Sequence, residues 1–119
     1  MDLEKKILSD TTVHMKYARY LEDKNRRENW KELVTRNMSM HLKKFPSLER
    51  EIINAYQYVY DKKVLPSMRS MQFGGKPIEV SPNRIFNCAY CPVDNYHVFS
   101  EIMFLLLGGT GVGFSVQKL

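Results

Sequence analysis

The sequence predicts an α/β fold in which a helical first part is followed by one strand–helix–strand unit. In the first part, apolar residues recur at steps of three and four, the period of an amphipathic helix. From residue 64 the composition turns to a stretch rich in Pro, Gly and Ser, followed by two short apolar runs on either side of an apolar helix pattern. We therefore expect a helical segment over residues 1–63 and an α/β part over residues 64–119.

Two helices account for most of the first part. The first is expected between Arg26 and Phe45, and Pro46 ends it because proline cannot continue a helix. Ser47 is placed to cap a second helix that reaches about Lys62. Residues 11–20 have no clean period and receive no element. The apolar stripe of the first helix consists of Trp30, Leu33, Val34, Met38, Leu42 and Phe45.

The second part is expected to form a βαβ unit. The run "RIFNCAY" (84–90) predicts a buried strand, and Asp94 is a good N-cap for a helix that Gly108 and Gly109 end. "GVGFSVQKL" (111–119) predicts the second strand. A strand, a helix and a strand in this order pair their strands in parallel. Because parallel strands normally have further strands beside them, the pattern indicates the opening of a larger α/β fold.

Composition limits the classes of partner. The net charge of +5 permits phosphate-bearing ligands, but the basic residues are not clustered enough to indicate direct nucleic-acid binding. The apolar run 102–107 is far too short for a membrane span, and the first ten residues lack the apolar region of a signal peptide. With two cysteines and no secretion signal, a reducing, cytoplasmic compartment is expected.

Both cysteines lie in "NRIFNCAYCP" (83–92), as Cys88 and Cys91. Their spacing is compatible with half of a zinc site, with a redox-active dithiol pair, or with one catalytic cysteine and an unrelated neighbour. Structural zinc needs four ligands and no second Cys-x-x-Cys exists, so no metal site is predicted. A thioredoxin-like motif places its first cysteine at a helix N-terminus, whereas Cys88 is expected in a strand. A Cys88/Cys91 redox switch remains an alternative.

The glycine-rich stretch "GGTGVG" (108–113) superficially resembles a phosphate-binding loop. In such a loop the glycines precede a helix, so that the phosphate meets a helix N-terminus. Here they follow a helix, whose C-terminal end repels anions. A tight turn is the simpler interpretation, and a bare backbone that approaches a ligand is the other.

Three stretches in order resemble the N-terminal part of ribonucleotide reductase: "LPSMRSMQFGG" (65–75), "NCAY" (87–90) and "PVDNYHVFSEIMFLLLGGTGVGFSV" (92–116). The upstream "YARYLEDKNRRENWKELVTR" (17–36) resembles that family's leading helical segment. The similarity is greatest to the adenosylcobalamin-dependent class II enzymes that reduce ribonucleoside triphosphates. The resemblance implies that the α/β part is the first βαβ unit of a ten-stranded α/β barrel, truncated here.

The resemblance also implies a chemistry and a set of residues. Family enzymes use a thiyl radical to reduce a ribonucleotide, while two further cysteines supply the reducing equivalents and end as a disulfide. Cys88 matches one of these reducing cysteines, and a thioredoxin-like reductant would restore it. Ser67, Asn87 and Gly111 match positions near the bound substrate. Adenosylcobalamin is the implied cofactor, with contacts mostly outside this chain.

Departures from the family qualify these expectations. Family members usually carry an apolar residue at the position of Cys91, so this thiol is not expected to be the reducing partner. They often carry a cysteine at the position of Gly108. The second reducing cysteine and the radical cysteine are expected in a missing C-terminal part, without which the chain should be inactive. A split gene, a segment before an intein and an artificial truncation all fit. A small basic helical binding module is the alternative from another class.

Overall fold

The computed structural model describes residues 2–117, which separate into two compact units after Gly75. The boundary predicted from the sequence lies twelve residues earlier, after residue 63. Residues 64–75 go with the first unit because Ser70 and Met71 are buried against its helices. The assignment of the two parts to domains of a reductase stays a prediction.

The first unit is helical. Its first helix and the small hairpin that follows are not predicted from the sequence. Its elements are α1 (Leu3–Lys16), an antiparallel pair of β1 (Tyr20–Leu21) and β2 (Arg26–Arg27), α2 (Trp30–Lys44), α3 (Glu49–Tyr60) and α4 (Met68–Phe73).

Helix α2 begins later than predicted because Asn29 caps it. The Asn29 side chain accepts a hydrogen bond from the Glu32 N–H at 2.9 Å, and the Glu32 carboxylate accepts one from the Asn29 N–H, which completes a capping box. The helix ends before Pro46, as predicted. Ser47 does not cap α3, because a 3-10 turn over Pro46–Leu48 leads directly into that helix.

The core of the first unit joins three helices. Leu33 and Val34 of α2 are fully buried against Tyr56 and Val59 of α3 and Met71 of α4. Burial, and secondarily the nearby Tyr60, raises the pKa of Tyr56 to about 12, so its phenol stays neutral in this core. By contrast, no residue of α1 is buried.

The second unit is the predicted strand–helix–strand arrangement preceded by short helical turns. It contains α5 (Lys76–Val80), a 3-10 turn over Pro82–Ile85, β3 (Cys88–Pro92), α6 (Val98–Leu107) and β4 (Gly111–Ser115). β3 and β4 pair in parallel, with Cys88 opposite Gly111 and Pro92 opposite Ser115. The last two residues of the second predicted strand, 118 and 119, lie outside the described residues.

Two boundaries of this unit differ from the prediction. The first strand begins at Cys88 rather than at Arg84, because Pro82 starts a 3-10 turn whose backbone hydrogen bonds run from Arg84 to Ser81 and from Phe86 to Asn83. Helix α6 is preceded by a turn in which the Asn95 side-chain oxygen accepts from the N–H groups of His97 and Val98, and His97 is the N-cap residue. Asp94 instead accepts from the Asn95 amide and caps nothing.

Helix α6 is apolar except for Ser100 and Glu101, but it buries only part of its surface. Val98 and Ile102 are buried and Leu105 is half-buried, whereas its other large apolar side chains are exposed, with 81% exposure at Leu107. A helix this rich in apolar residues is normally enclosed by other elements. None of the helices within residues 2–117 has both the length and the apolar character needed to cross a bilayer. The exposed apolar side chains of α6 are Phe99, Met103, Phe104, Leu106 and Leu107.

Candidate functional site

The two faces of the β3–β4 sheet differ, and they separate the two cysteines. Side chains alternate along a strand, so Cys88 and Tyr90 point to one face, and Ala89 and Cys91 to the other. The first pair is exposed and the second is half-buried. Because α6 packs against both strands, the half-buried Ala89, Cys91 and Val112 mark the face that it covers. We call the other side, with Cys88 and Tyr90, the open face.

Three of the four predicted site residues lie together at the end of the sheet where β3 and β4 begin. Asn87 immediately precedes β3, and its carbonyl accepts a hydrogen bond of 2.9 Å from the Gly111 N–H. Gly111 is in turn the register partner of Cys88. The parallel ladder therefore brings Asn87, Cys88 and Gly111 together, although they are up to 24 positions apart in the sequence.

Thr110, which the sequence does not mark as a site residue, reinforces this junction. It is 2% exposed, and its hydroxyl donates to the Phe86 carbonyl at 3.3 Å. Together with the bond from Gly111 to Asn87, this fixes the segment before β4 to the segment before β3. A polar residue between glycines is unremarkable in a sequence, so no signal pointed to its burial.

The glycine-rich stretch closes α6 as a Schellman turn, in agreement with the simpler interpretation. Gly109 has a φ of +89°, and its N–H donates to the Leu106 carbonyl at 2.9 Å. The Thr110 N–H donates to the Leu105 carbonyl at 3.0 Å, which completes the motif. The turn thus satisfies helix carbonyls and offers no N–H array to a phosphate.

Gly111 and Gly113 have a different character from Gly109. Both lie in β4, and neither has a positive φ. A Cβ on Gly111 would lie 3.7 Å from the Asn87 carbonyl oxygen, and one on Gly113 would lie 3.9 Å from Tyr90 Cδ2. Those are ordinary van der Waals distances, so neither conformation nor packing within this unit requires glycine. Because Gly111 and Gly113 have no side chains beside Cys88 and Tyr90, the open face is accessible to a ligand.

The geometry argues against the Cys88/Cys91 switch. Residues three apart in a strand have Cα atoms roughly 10 Å apart, whereas disulfides need about 4.4–6.8 Å. Both thiols are free, and they face opposite sides of the sheet. Cys91 lies within β3, whereas the predicted strand over residues 84–90 would have placed it just beyond the end of the strand. No group of three or more metal-ligating side chains occurs among residues 2–117.

Ser67, the fourth predicted site residue, belongs to the first unit. It precedes α4, where its carbonyl accepts from the Met71 N–H at 3.0 Å. Its side chain is exposed and makes no capping hydrogen bond. The hydroxyl thus has no capping role in α4.

One comparison found a similar protein whose name describes a ribonucleotide-reducing enzyme. The relative is the adenosylcobalamin-dependent ribonucleoside-triphosphate reductase of Lactobacillus gasseri, to which this chain is 30% identical over an alignment of 138 residues. The alignment covers 88% of this chain but 18% of the relative, so the chain spans less than a fifth of that enzyme's length. No protein-family model matches the chain. No solved structure matches it either.

Proposed function

We propose that this chain supplies part of a ribonucleotide reductase, with Cys88 as one of two cysteines that reduce the substrate. The observation that carries the proposal is the position of Cys88: exposed on the open face, beside Asn87 and the bare backbone of Gly111. The similarity to the Lactobacillus gasseri enzyme over 88% of the chain supports the same reading.

In this proposal β3 and β4 are two neighbouring strands of a larger α/β barrel. Their parallel pairing and the apolar, largely exposed α6 fit such a setting, because parallel strands and apolar helices are ordinarily covered on all sides. The remaining strands and the other catalytic cysteines would come from sequence other than these 119 residues.

The proposed chemistry of Cys88 follows from its thiol. A thiol beside the 2′ carbon protonates the leaving hydroxyl, which departs as water. Two electrons then pass from Cys88 and a second cysteine to the sugar, and the two sulfurs form a disulfide. A thioredoxin-like dithiol reduces that disulfide and restores both thiols. Asn87 and Gly111 would contact the ribonucleotide.

Adenosylcobalamin enters this proposal through the name of the relative. It would supply the radical that starts the reaction, and no side chain of residues 2–117 is assigned to hold it. What this chain contributes is the reducing thiol and the surface around it. A ribonucleoside triphosphate is the substrate that the relative's name suggests.

The experiment replaces the matching segment of the Lactobacillus gasseri reductase with this chain and measures deoxyribonucleotide formation with dithiothreitol. Cys88→Ser should lower turnover by at least about 100-fold, the loss typical of removing a positioned proton-transfer group. Cys91→Ser is the matched control, since Cys91 faces α6, and should retain activity. Unimpaired turnover in Cys88→Ser, or a folded chimera that binds nucleotide without reducing it, contradicts the proposal.

A further inference from the structure

A cavity of about 470 Å³ lies within the first unit, between α1, the start of α2, the segment after α3, and α4. Its volume is within the range of about 300–1,000 Å³ that is usual for small-molecule sites. Its lining includes the polar side chains of Ser9, Thr12 and Lys62. The rest of the wall is largely apolar and is formed by Val13, Tyr17, Trp30, Leu65, Pro66, Met68 and Met71.

Trp30 and Lys62 form one side of this cavity. The Trp30 indole N–H donates to the Tyr60 carbonyl at 3.1 Å, which fixes the ring in place. Lys62 Nζ lies 5.2 Å from the centroid of that ring, 3.1 Å from the Ser9 hydroxyl and 3.1 Å from an Asp10 carboxylate oxygen. A fixed aromatic surface beside a cation suits a ligand with an apolar body and a negative end.

The backbone of Lys62 is strained, and this points to a role for its side chain. Its φ is +57°, in the left-handed region that favours glycine. It occupies the position of the Schellman turn at the end of α3 that is usually glycine. In this turn the Lys62 N–H donates a hydrogen bond to the Val59 carbonyl, and the Lys63 N–H donates one to the Tyr58 carbonyl. A lysine in that position brings a positive charge to the cavity at a conformational cost that glycine would avoid.

A ligand carboxylate could take the place of Asp10 as the ion-pair partner of Lys62. Asp10 is exposed over 55% of its side chain, compared with 27% for Lys62, and such half-exposed ion pairs contribute little to stability. A ligand carboxylate at the same place would form a charge-assisted hydrogen bond partly shielded from water. The apolar wall would meanwhile cover the remainder of the ligand.

We propose that this cavity binds a small amphipathic monocarboxylate, with the carboxylate on Lys62 and the apolar body against Trp30, Tyr17 and Met68. The site is independent of Cys88 and of the proposed reductase reaction, because every residue that lines it belongs to the first unit. Its occupancy is therefore measured by binding, with no requirement for turnover.

Trp30 is the single tryptophan of the chain, so its fluorescence reports on this cavity directly. We expect titration of the full chain with 4-phenylbutyrate to give a saturable change, with half-saturation on the order of 1 mM or below for so small a ligand. Lys62→Met keeps the aliphatic stem and should weaken binding at least about tenfold, the effect of one charge-assisted hydrogen bond. Lys63→Met, at an exposed neighbouring lysine outside the lining, should bind like the unmodified chain.

A second variant separates binding from folding. Lys62→Gly relaxes the left-handed backbone, so it should remain folded by circular dichroism and still lose binding. Absence of a saturable change up to about 10 mM, well above the expected half-saturation, overturns the proposal. Equal affinity for the neutral alcohol 4-phenylbutan-1-ol, or unchanged affinity in Lys62→Met, overturns the role of the charge.

Discussion

Removal of the Glu28 carboxylate should destabilise the first unit more than any surface substitution. Glu28 is 6% exposed and accepts hydrogen bonds from Arg36 Nε at 2.8 Å, from Arg36 Nη2 at 3.0 Å and from the Arg19 N–H at 3.1 Å. The Arg36 guanidinium also donates to the Gly74 and Met71 carbonyls, so it ties α2 to the segment around α4. In Glu28→Ala the largely buried guanidinium keeps its charge and loses its counterion.

The expected loss of stability is large relative to the total stability of the first unit. Breaking a buried ion pair by removing one partner costs about 3–5 kcal/mol. A unit of this size has a total stability of about 4–11 kcal/mol, at roughly 0.05–0.15 kcal/mol per residue. Glu28→Ala should therefore remove at least about a quarter of the stability of the first unit at 25 °C. Replacing both partners, as in Glu28→Leu with Arg36→Met, should cost less than the sum of the single changes, because no buried charge is left unpaired.

Urea denaturation followed by Trp30 fluorescence measures this, because Trp30 lies in the first unit. Lys5→Ala is the control, since its ion pair with Asp2 is exposed on both sides and is worth at most about 1 kcal/mol. A loss of less than about 1 kcal/mol in Glu28→Ala would refute the reasoning, and the carboxylate would then be no more than a surface partner of Arg36.

Three further predictions use other parts of the chain. Iodoacetamide should modify exposed Cys88 before half-buried Cys91, and mild oxidation should yield no internal disulfide; mass spectrometry reads both outcomes. Burial lowers the pKa of His41, so folding stability should fall as the pH drops from about 6.5 through that lowered value, and the fall should be smaller in His41→Gln by urea denaturation. Gly109→Ala should destabilise the second unit by about 1–2 kcal/mol, because alanine is strained at a φ of +89°; a thermal melt by circular dichroism detects it.

The parts of the fold that local chemistry specifies were predictable from the sequence. Pro46 ended α2 and the glycine pair at 108–109 ended α6, because these residues act within one turn of their own position. The Asn29–Glu32 capping box is equally local, and reading it would have placed the start of α2 correctly.

What the sequence analysis missed depends on contacts that are distant in sequence. Helix α4 has six residues, too few to display a period, and Ser70 and Met71 at its centre are buried against α2 and α3. The Ser70 hydroxyl donates to the buried Asn37 side chain at 2.7 Å, across 33 positions. Helix α1 buries no residue and so has no apolar stripe to read.

The candidate site shows how a small error in a boundary alters a functional inference. A strand over 84–90 would have left Cys91 in a loop, whereas the observed strand places it under α6, on the face opposite Cys88. The start of β3 is determined by its pairing with Gly111, a contact that a single sequence does not reveal. The conclusion that the two cysteines act separately is the same, but its physical reason is now the alternation of side chains along one strand.

The two proposals differ in what each needs to operate. The open face around Cys88 is two strands wide, and Cys88, Tyr90, Gly111 and Gly113 on it are exposed, so a substrate there would need walls from other elements. The cavity beside Lys62 already has walls on several sides, all from the first unit. Binding of a monocarboxylate is therefore expected of the chain by itself, whereas reduction of a ribonucleotide is expected only after the open face is covered. Loss of one activity in a variant would leave the other intact, because Lys62 and Cys88 lie in different units.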